Sequence, residues 1–208
     1  RNKLGLGLNL RSPEGLQIFK ELAAKTDVVI SNFKPHTMEK FGLSYEVLSA
    51  INPGIIVIDS SALGNSGPAS HRMGYGPLIR STVGLTGLWQ DTTVADGFCD
   101  FLTMFPDHVA GRIGAIGIIA SLIARARTGR GRTVSVAQAE GILTQLATEY
   151  LSESLEPGVL VPLGNVGEFD APQGIYPCAG DDECVAITVE HTAQFEALAN
   201  TIGHAEFA

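Results

Sequence analysis

Residues 27–61, DVVISNFKPHTMEKFGLSYEVLSAINPGIIVIDSS, hold two short apolar runs on either side of a polar, helix-like stretch. Val28, Val29 and Ile30 make the first run and Ile55, Ile56, Val57 and Ile58 the second. Neither alternates with polar residues, as expected of strands in a parallel sheet whose two faces are covered by helices. The stretch between them, from about Pro35 to Ala50, is read as the crossover helix that joins such a pair.

Upstream, SPEGLQIFKELAAK (12–25) starts a helix, with Ser12 as N-cap, Pro13 at the first helical position and Glu14 in the first turn. LGLGLNL (4–10) before it is read as a strand, giving the order β-α-β-α-β and an α/β class with a Rossmann-like, open, doubly wound parallel sheet. Downstream, residues 61–105 are rich in breakers (GNSGPASHRMGYGP) and are expected to wrap around a site rather than build the core. A long helix follows from FPDHVAG, and TGRGR (128–132) ends it with Gly129 and Gly131, while Arg127, Arg130 and Arg132 stand near its negative end. TVSVAQ makes a strand or turn, and a further helix runs to about Tyr150. Residues 1–151 are therefore taken as a large domain and 152–173 as a linker with a glycine loop. Residues 174–208, of β-β-α pattern, are taken as the start of a small α+β domain.

The chain has 208 residues, 45% hydrophobic and 17% charged, which suits a folded globular protein. Its formal net charge of −8 argues against general nucleic-acid binding. The most apolar run, Ile113 to Ala124, is bracketed by arginines and is too short to cross a bilayer, so a buried core helix and no membrane partner are expected. Cys99, Cys178 and Cys184 are odd in number and lack metal-ligand spacing, which suits a reduced, cytoplasmic setting. The start at Arg1 and the abrupt end at Ala208 suggest a piece of a longer protein.

Ligands of open α/β sheets bind beyond the carboxyl ends of strands. Asn32 follows one such end, with Lys34 and Lys40 near it, and the group could hold an anionic ligand or be an ordinary polar loop. The five histidines show no ligand spacing, so no metal is expected. GNSGP (64–68) is neither a P-loop nor a dinucleotide fingerprint, and no G-x-S-x-G elbow occurs. Asp107 is the sharpest candidate. Behind Pro106 it stands in a first helical turn, where free N–H groups and the helix dipole favour a carboxylate. A stabilising cap and a reactive nucleophile both fit that place. The small residues Ala110, Gly111, Gly114, Ala115 and Gly117 that follow imply close backbone packing against another element or a ligand.

Taken in order, DVVISNFKP, FGLSYEVL, PDHVAGRIGAIG, RARTGRGRTVSVAQAEG and YPCAGDDECVAITV resemble the family III CoA-transferases, a group that includes formyl-CoA and carnitine CoA-transferases and the related α-methylacyl-CoA racemases. The resemblance implies an interlocked homodimer and coenzyme A as substrate and carrier. It also implies a catalytic aspartate at Asp107 and a CoA pocket at Asn32, Phe33 and Lys40. Arg72 and Tyr75 would lie over the pantetheine arm. Glu140 would be an acid near the active site, and the Gly164–Asn165 loop would close over the aspartate. The implied reaction moves CoA from an acyl-CoA to a carboxylic acid through aspartyl anhydride and thioester intermediates. The racemase branch has a histidine where Tyr75 stands, with His71 and His108 as nearby substitutes. A third alternative is a non-catalytic acyl-CoA-binding subunit of a tandem protein.

Overall fold

The computed structural model describes residues 2–95, 97–98, 104–165 and 172–207. Cys99 and residues 166–171 of the expected linker lie outside that set. The chain divides into two compact units, one of residues 1–84 and 102–151, the other of residues 85–101 and 152–208.

In the first unit a three-stranded parallel sheet has the order β1 (Val28–Ser31), β2 (Ile56–Ser61), β3 (Arg132–Ala137). The register is set by Val29 opposite Val57, and by Asp59 opposite both Ser31 and Ser135. Helix α1 (Pro13–Ala23) begins as its sequence dictates, with the Ser12 hydroxyl accepting from the Gly15 N–H at 3.1 Å. One side of the sheet closes over Ala23, Leu43, Leu48 and Ile55. On the other side, Ile58 and Val136 pack with Ala110 of the long helix.

Four expectations are corrected. Residues 2–9 form no strand. Leu4 is fully exposed, and the run has no ladder partner among the described residues. The helix read over 35–50 is two, α2 (Thr37–Lys40) and α3 (Tyr45–Ile51), because Gly42 turns the chain at φ +70° and Ser44 caps a new start. Residues 76–88 of the breaker-rich stretch form helices with buried positions in each unit. Helix α4 (Gly76–Thr82), opened by Pro77, buries Ile79 and Arg80, and α5 (Leu85–Leu88) buries Leu85.

The fourth concerns α6 (Phe105–Thr128), which is buried on one side only. Of its small residues Ala110, Gly114 and Gly117 lie on the sheet, where a Cβ added at Gly114 or Gly117 would come within 2.9 Å of Ile58 or 2.8 Å of Val134, whereas Gly111 and Ala115 are exposed. Such close approach turns the large residues outward, and Ile116, Ile119 and Ile123 are exposed. Among the described residues α6 is the one helix long and apolar enough to cross a membrane, with mean hydropathy 1.6 over its most apolar stretch. It serves here as the crossover between β2 and β3, and Gly129 in the left-handed conformation ends it.

From β3 the chain passes directly into α7 (Gln138–Gln145) and then α8 (Ala147–Leu155). The second unit contains an antiparallel hairpin of β4 (Gln173–Pro177) and β5 (Cys184–Thr188), followed by α9 (Thr192–Thr201).

Candidate functional site

Asp107 is not used as a cap. The N-cap of α6 is Met104, which makes no side-chain capping bond, and Asp107 stands inside the first turn, half-buried. Its carboxylate meets two other elements of the same unit. Gln138, the first residue of α7 and immediately beyond the carboxyl end of β3, donates from Nε2 to Asp107 Oδ1 at 3.4 Å. Gly76, the first residue of α4, lies against the other oxygen, so that a Cβ there would come within 2.7 Å of Oδ2. Gln138 is buried, 7% exposed, and its Oε1 is sealed from solvent with no hydrogen-bond partner. Sequence reasoning did not single out either neighbour. The strand-end rule that selected Asn32 also applies to Gln138, which follows TVSVA.

Glu140, two residues farther along α7, is exposed, and its Oε1 lies 4.0 Å from the Cβ position of Gly64. The hydrogen bond to Asp107 comes from Gln138. Arg72 and Tyr75 are exposed on the segment leading into α4, where Tyr75 is the N-cap and directly precedes Gly76. His71 and His108 are also exposed.

A cavity of about 180 Å³ opens at the carboxyl ends of β1 and β2. Phe33, Lys34, His36, Tyr45, Asp59 and Ser135 are among its lining residues, whereas Asn32 and Lys40 are not. The parallel register explains the row Ser31, Asp59, Ser135 across its floor. Val57 and Asp59 alternate along β2 with Ile58, which faces α6, so the cavity lies on the opposite sheet face from that helix. The Ser31 hydroxyl donates to Asp59 Oδ1 at 3.2 Å. Burial pushes the Asp59 carboxyl above the usual range, opposed by that hydrogen bond, with a further rise from Glu39.

Gly164 and Asn165 belong to the second unit and line a recess with Leu88, Trp89, Gln90 and Asp91. Gly164 has φ +61°, a left-handed conformation that glycine adopts without strain. Among the described residues no three His, Cys, Asp or Glu side chains are grouped to hold a metal ion.

The sequence profile described as CoA-transferase family III matches residues 1–208. A probable CoA-transferase of Mycobacterium tuberculosis is 43% identical over 213 residues, covering all of this chain and 26% of that protein. The succinyl-CoA–L-malate CoA-transferase beta subunit of Chloroflexus aurantiacus is 34% identical over 218 residues, covering all of this chain and 51% of that subunit. The crystal structure of a CaiB/BaiF family protein from Brucella suis superposes with a TM-score of 0.83 at 30% identity, covering 96% of this chain and 52% of that one. The chain thus spans between a quarter and about half the length of these relatives.

Proposed function

This chain belongs to CoA-transferase family III, and from that premise we propose that the protein containing it moves coenzyme A from an acyl-CoA donor to a carboxylic acid acceptor, with Asp107 as the nucleophile. The observation that carries the reading is the setting of Asp107. A carboxylate in a helix first turn that makes no cap, with one oxygen at a buried amide and the other against a glycine, is held by its surroundings rather than spent on the helix.

On this reading Asp107 attacks the thioester carbonyl of the donor and expels CoA as thiolate, leaving an acyl-aspartyl anhydride. The thiolate adds to the aspartyl carbon and releases the donor acid, giving an aspartyl-CoA thioester. The acceptor carboxylate displaces the thiolate to form a second anhydride, and the thiolate then attacks the acceptor's carbonyl, freeing Asp107. Anhydride and thioester exchange with little net free-energy change, so positioning and oxyanion donors carry the catalysis. The cavity on the other sheet face is assigned in this reading to the nucleotide end of CoA. Phe33 offers an exposed ring for an adenine and Lys34 a cation for phosphate. Asn32, Lys40, Arg72, Tyr75, Glu140 and the Gly164–Asn165 loop remain proposed contacts. So do a cytoplasmic setting, an interlocked homodimer and domain limits near residues 151 and 174.

Malate transfer by the Chloroflexus relative makes small di- and hydroxy-acids the first acceptors to try. The full-length protein, incubated with acetyl-CoA or succinyl-CoA and a panel of such acids, is expected to form the acceptor's CoA ester. Asp107→Asn is expected to abolish it, and undiminished transfer by that variant would refute the reading.

A further inference from the structure

We infer that Gln138 is the oxyanion donor of the aspartyl intermediates, holding Oδ1 of Asp107 through every covalent state so that Oδ2 alone is exchanged. The inference rests on the transfer reading above and assigns it a residue and an oxygen.

Three observations combine. Gln138 is more than nine-tenths buried, its Nε2 points at Asp107 Oδ1 across 3.4 Å, and its Oε1 has no partner. A carboxylate only accepts hydrogen bonds, so the amide face turned to it is the NH₂ group. Leaving a buried amide oxygen unsatisfied costs about 1–3 kcal/mol, which a Leu or Met of similar size at this position would avoid. Packing alone therefore does not explain a glutamine here. A separation of 3.4 Å is long for a ground-state bond. When a nucleophile adds to the aspartyl carbon, the carbonyl π electrons localise on Oδ1, and the same donor then binds a full negative charge. That gain occurs in the transition state, where it accelerates the reaction.

The oxygen bookkeeping follows. Oδ2 attacks the donor and becomes the bridging atom of the first anhydride. The CoA thiolate adds to the aspartyl carbon, charge passes to Oδ1 and returns, and the donor acid departs carrying Oδ2. The acceptor carboxylate then adds to the aspartyl thioester, charge again visits Oδ1, and CoA thiolate leaves. When the thiolate attacks the acceptor's carbonyl, the released aspartate keeps one acceptor oxygen as its new Oδ2. Oδ1 is never replaced while Gln138 prevents the carboxylate from turning over.

The test runs the full-length enzyme through many turnovers with excess acceptor labelled with ¹⁸O in both carboxylate oxygens, followed by mass spectrometry of the peptide containing Asp107. The wild type is expected to take up one heavy oxygen and stop. Gln138→Ala and Gln138→Met, which lack the donor, are expected to lose about 10²–10³ in kcat with KM for the acyl-CoA within about threefold, and to accumulate two heavy oxygens. A melting temperature on each variant separates this loss from unfolding, and the Met variant, of similar size, serves if Ala does not fold. Two heavy oxygens in the wild type, a single one in a turning-over variant, or a variant kcat within about threefold of wild type would each overturn the assignment of Gln138. Product formation with no heavy oxygen at Asp107 in the wild type would instead remove the aspartyl route itself.

Discussion

Substituting Gly76 by alanine tests how closely α4 sets the Asp107 carboxylate. The new Cβ would lie 2.7 Å from Oδ2, 3.0 Å from the Met104 sulfur and 3.4 Å from Met104 Cα. Ordinary contact begins near 3.4 Å, so carboxylate and methyl must part by about 0.7 Å. Gly76 has no left-handed backbone to protect, and the two closest atoms are side-chain atoms that can turn aside. The stability cost is therefore at the low end of the overpacking range, about 1 kcal/mol. The catalytic cost is larger, since a displacement approaching 1 Å in a reacting group removes about 10²-fold in rate, or about 2.7 kcal/mol. Gly76→Ala should thus melt within a few degrees of wild type while kcat falls roughly 30- to 100-fold. Steady-state kinetics on the full-length enzyme, with calorimetry on the same samples, reads both quantities. A kcat within about twofold of wild type would refute the claim that Gly76 makes room for the nucleophile.

Other expectations concern the sheet and its edges. Gly131 has no room for a side chain, because a Cβ there would overlap the Ile55 carbonyl while the Gly131 N–H donates to Pro53 O at 2.8 Å. Gly131→Ala should destabilise by about 3 kcal/mol or prevent folding, seen as a lost or early melting transition. Asp59 has its carboxyl pushed up by burial, so its protonated form favours the fold. That contribution is complete below the usual carboxylate pKa and is lost as pH rises through the higher folded value. Asp59→Asn should therefore raise the melting temperature at pH 7, with the gain vanishing below about pH 4, and a gain independent of pH would contradict the assignment. Arg125 donates to Asp27 at 2.7 Å and to Gly54 O at 3.0 Å, yet Asp27 is largely exposed. Arg125→Met should cost only about 1 kcal/mol in a urea melt.

The parallel pair β1–β2 was legible because its apolar runs are continuous, and the close approach of α6 because glycines in a helix have few other uses. What the sequence concealed depends on partners in space. LGLGLNL has a strand's alternation, but a strand forms only against a neighbour. The outward isoleucines of α6 look identical in sequence to inward ones, and only the seating of Gly114 and Gly117 on Ile58 and Val134 shows which side faces the sheet. At the site, Asp107 stood out by its place after Pro106. Gly76 lies 31 residues before it and Gln138 31 after it, and no local spacing joins three residues brought together by α4, α6 and the β3–α7 junction. Glu140 was pointed to by the family resemblance alone. A step of two residues on a helix turns a side chain by about 200°, and the neutral amide faces the carboxylate.

The central claim is that Asp107 carries the acyl group and then CoA as covalent intermediates. Hydroxylamine intercepts aspartyl anhydrides and thioesters, converting the residue to a hydroxamate that peptide mass spectrometry can locate. Full-length protein given acyl-CoA and hydroxylamine together should lose activity in step with hydroxamate at Asp107, while either reagent alone leaves both unchanged. Inactivation with the label on another residue, or continued turnover with none at Asp107, would contradict the account.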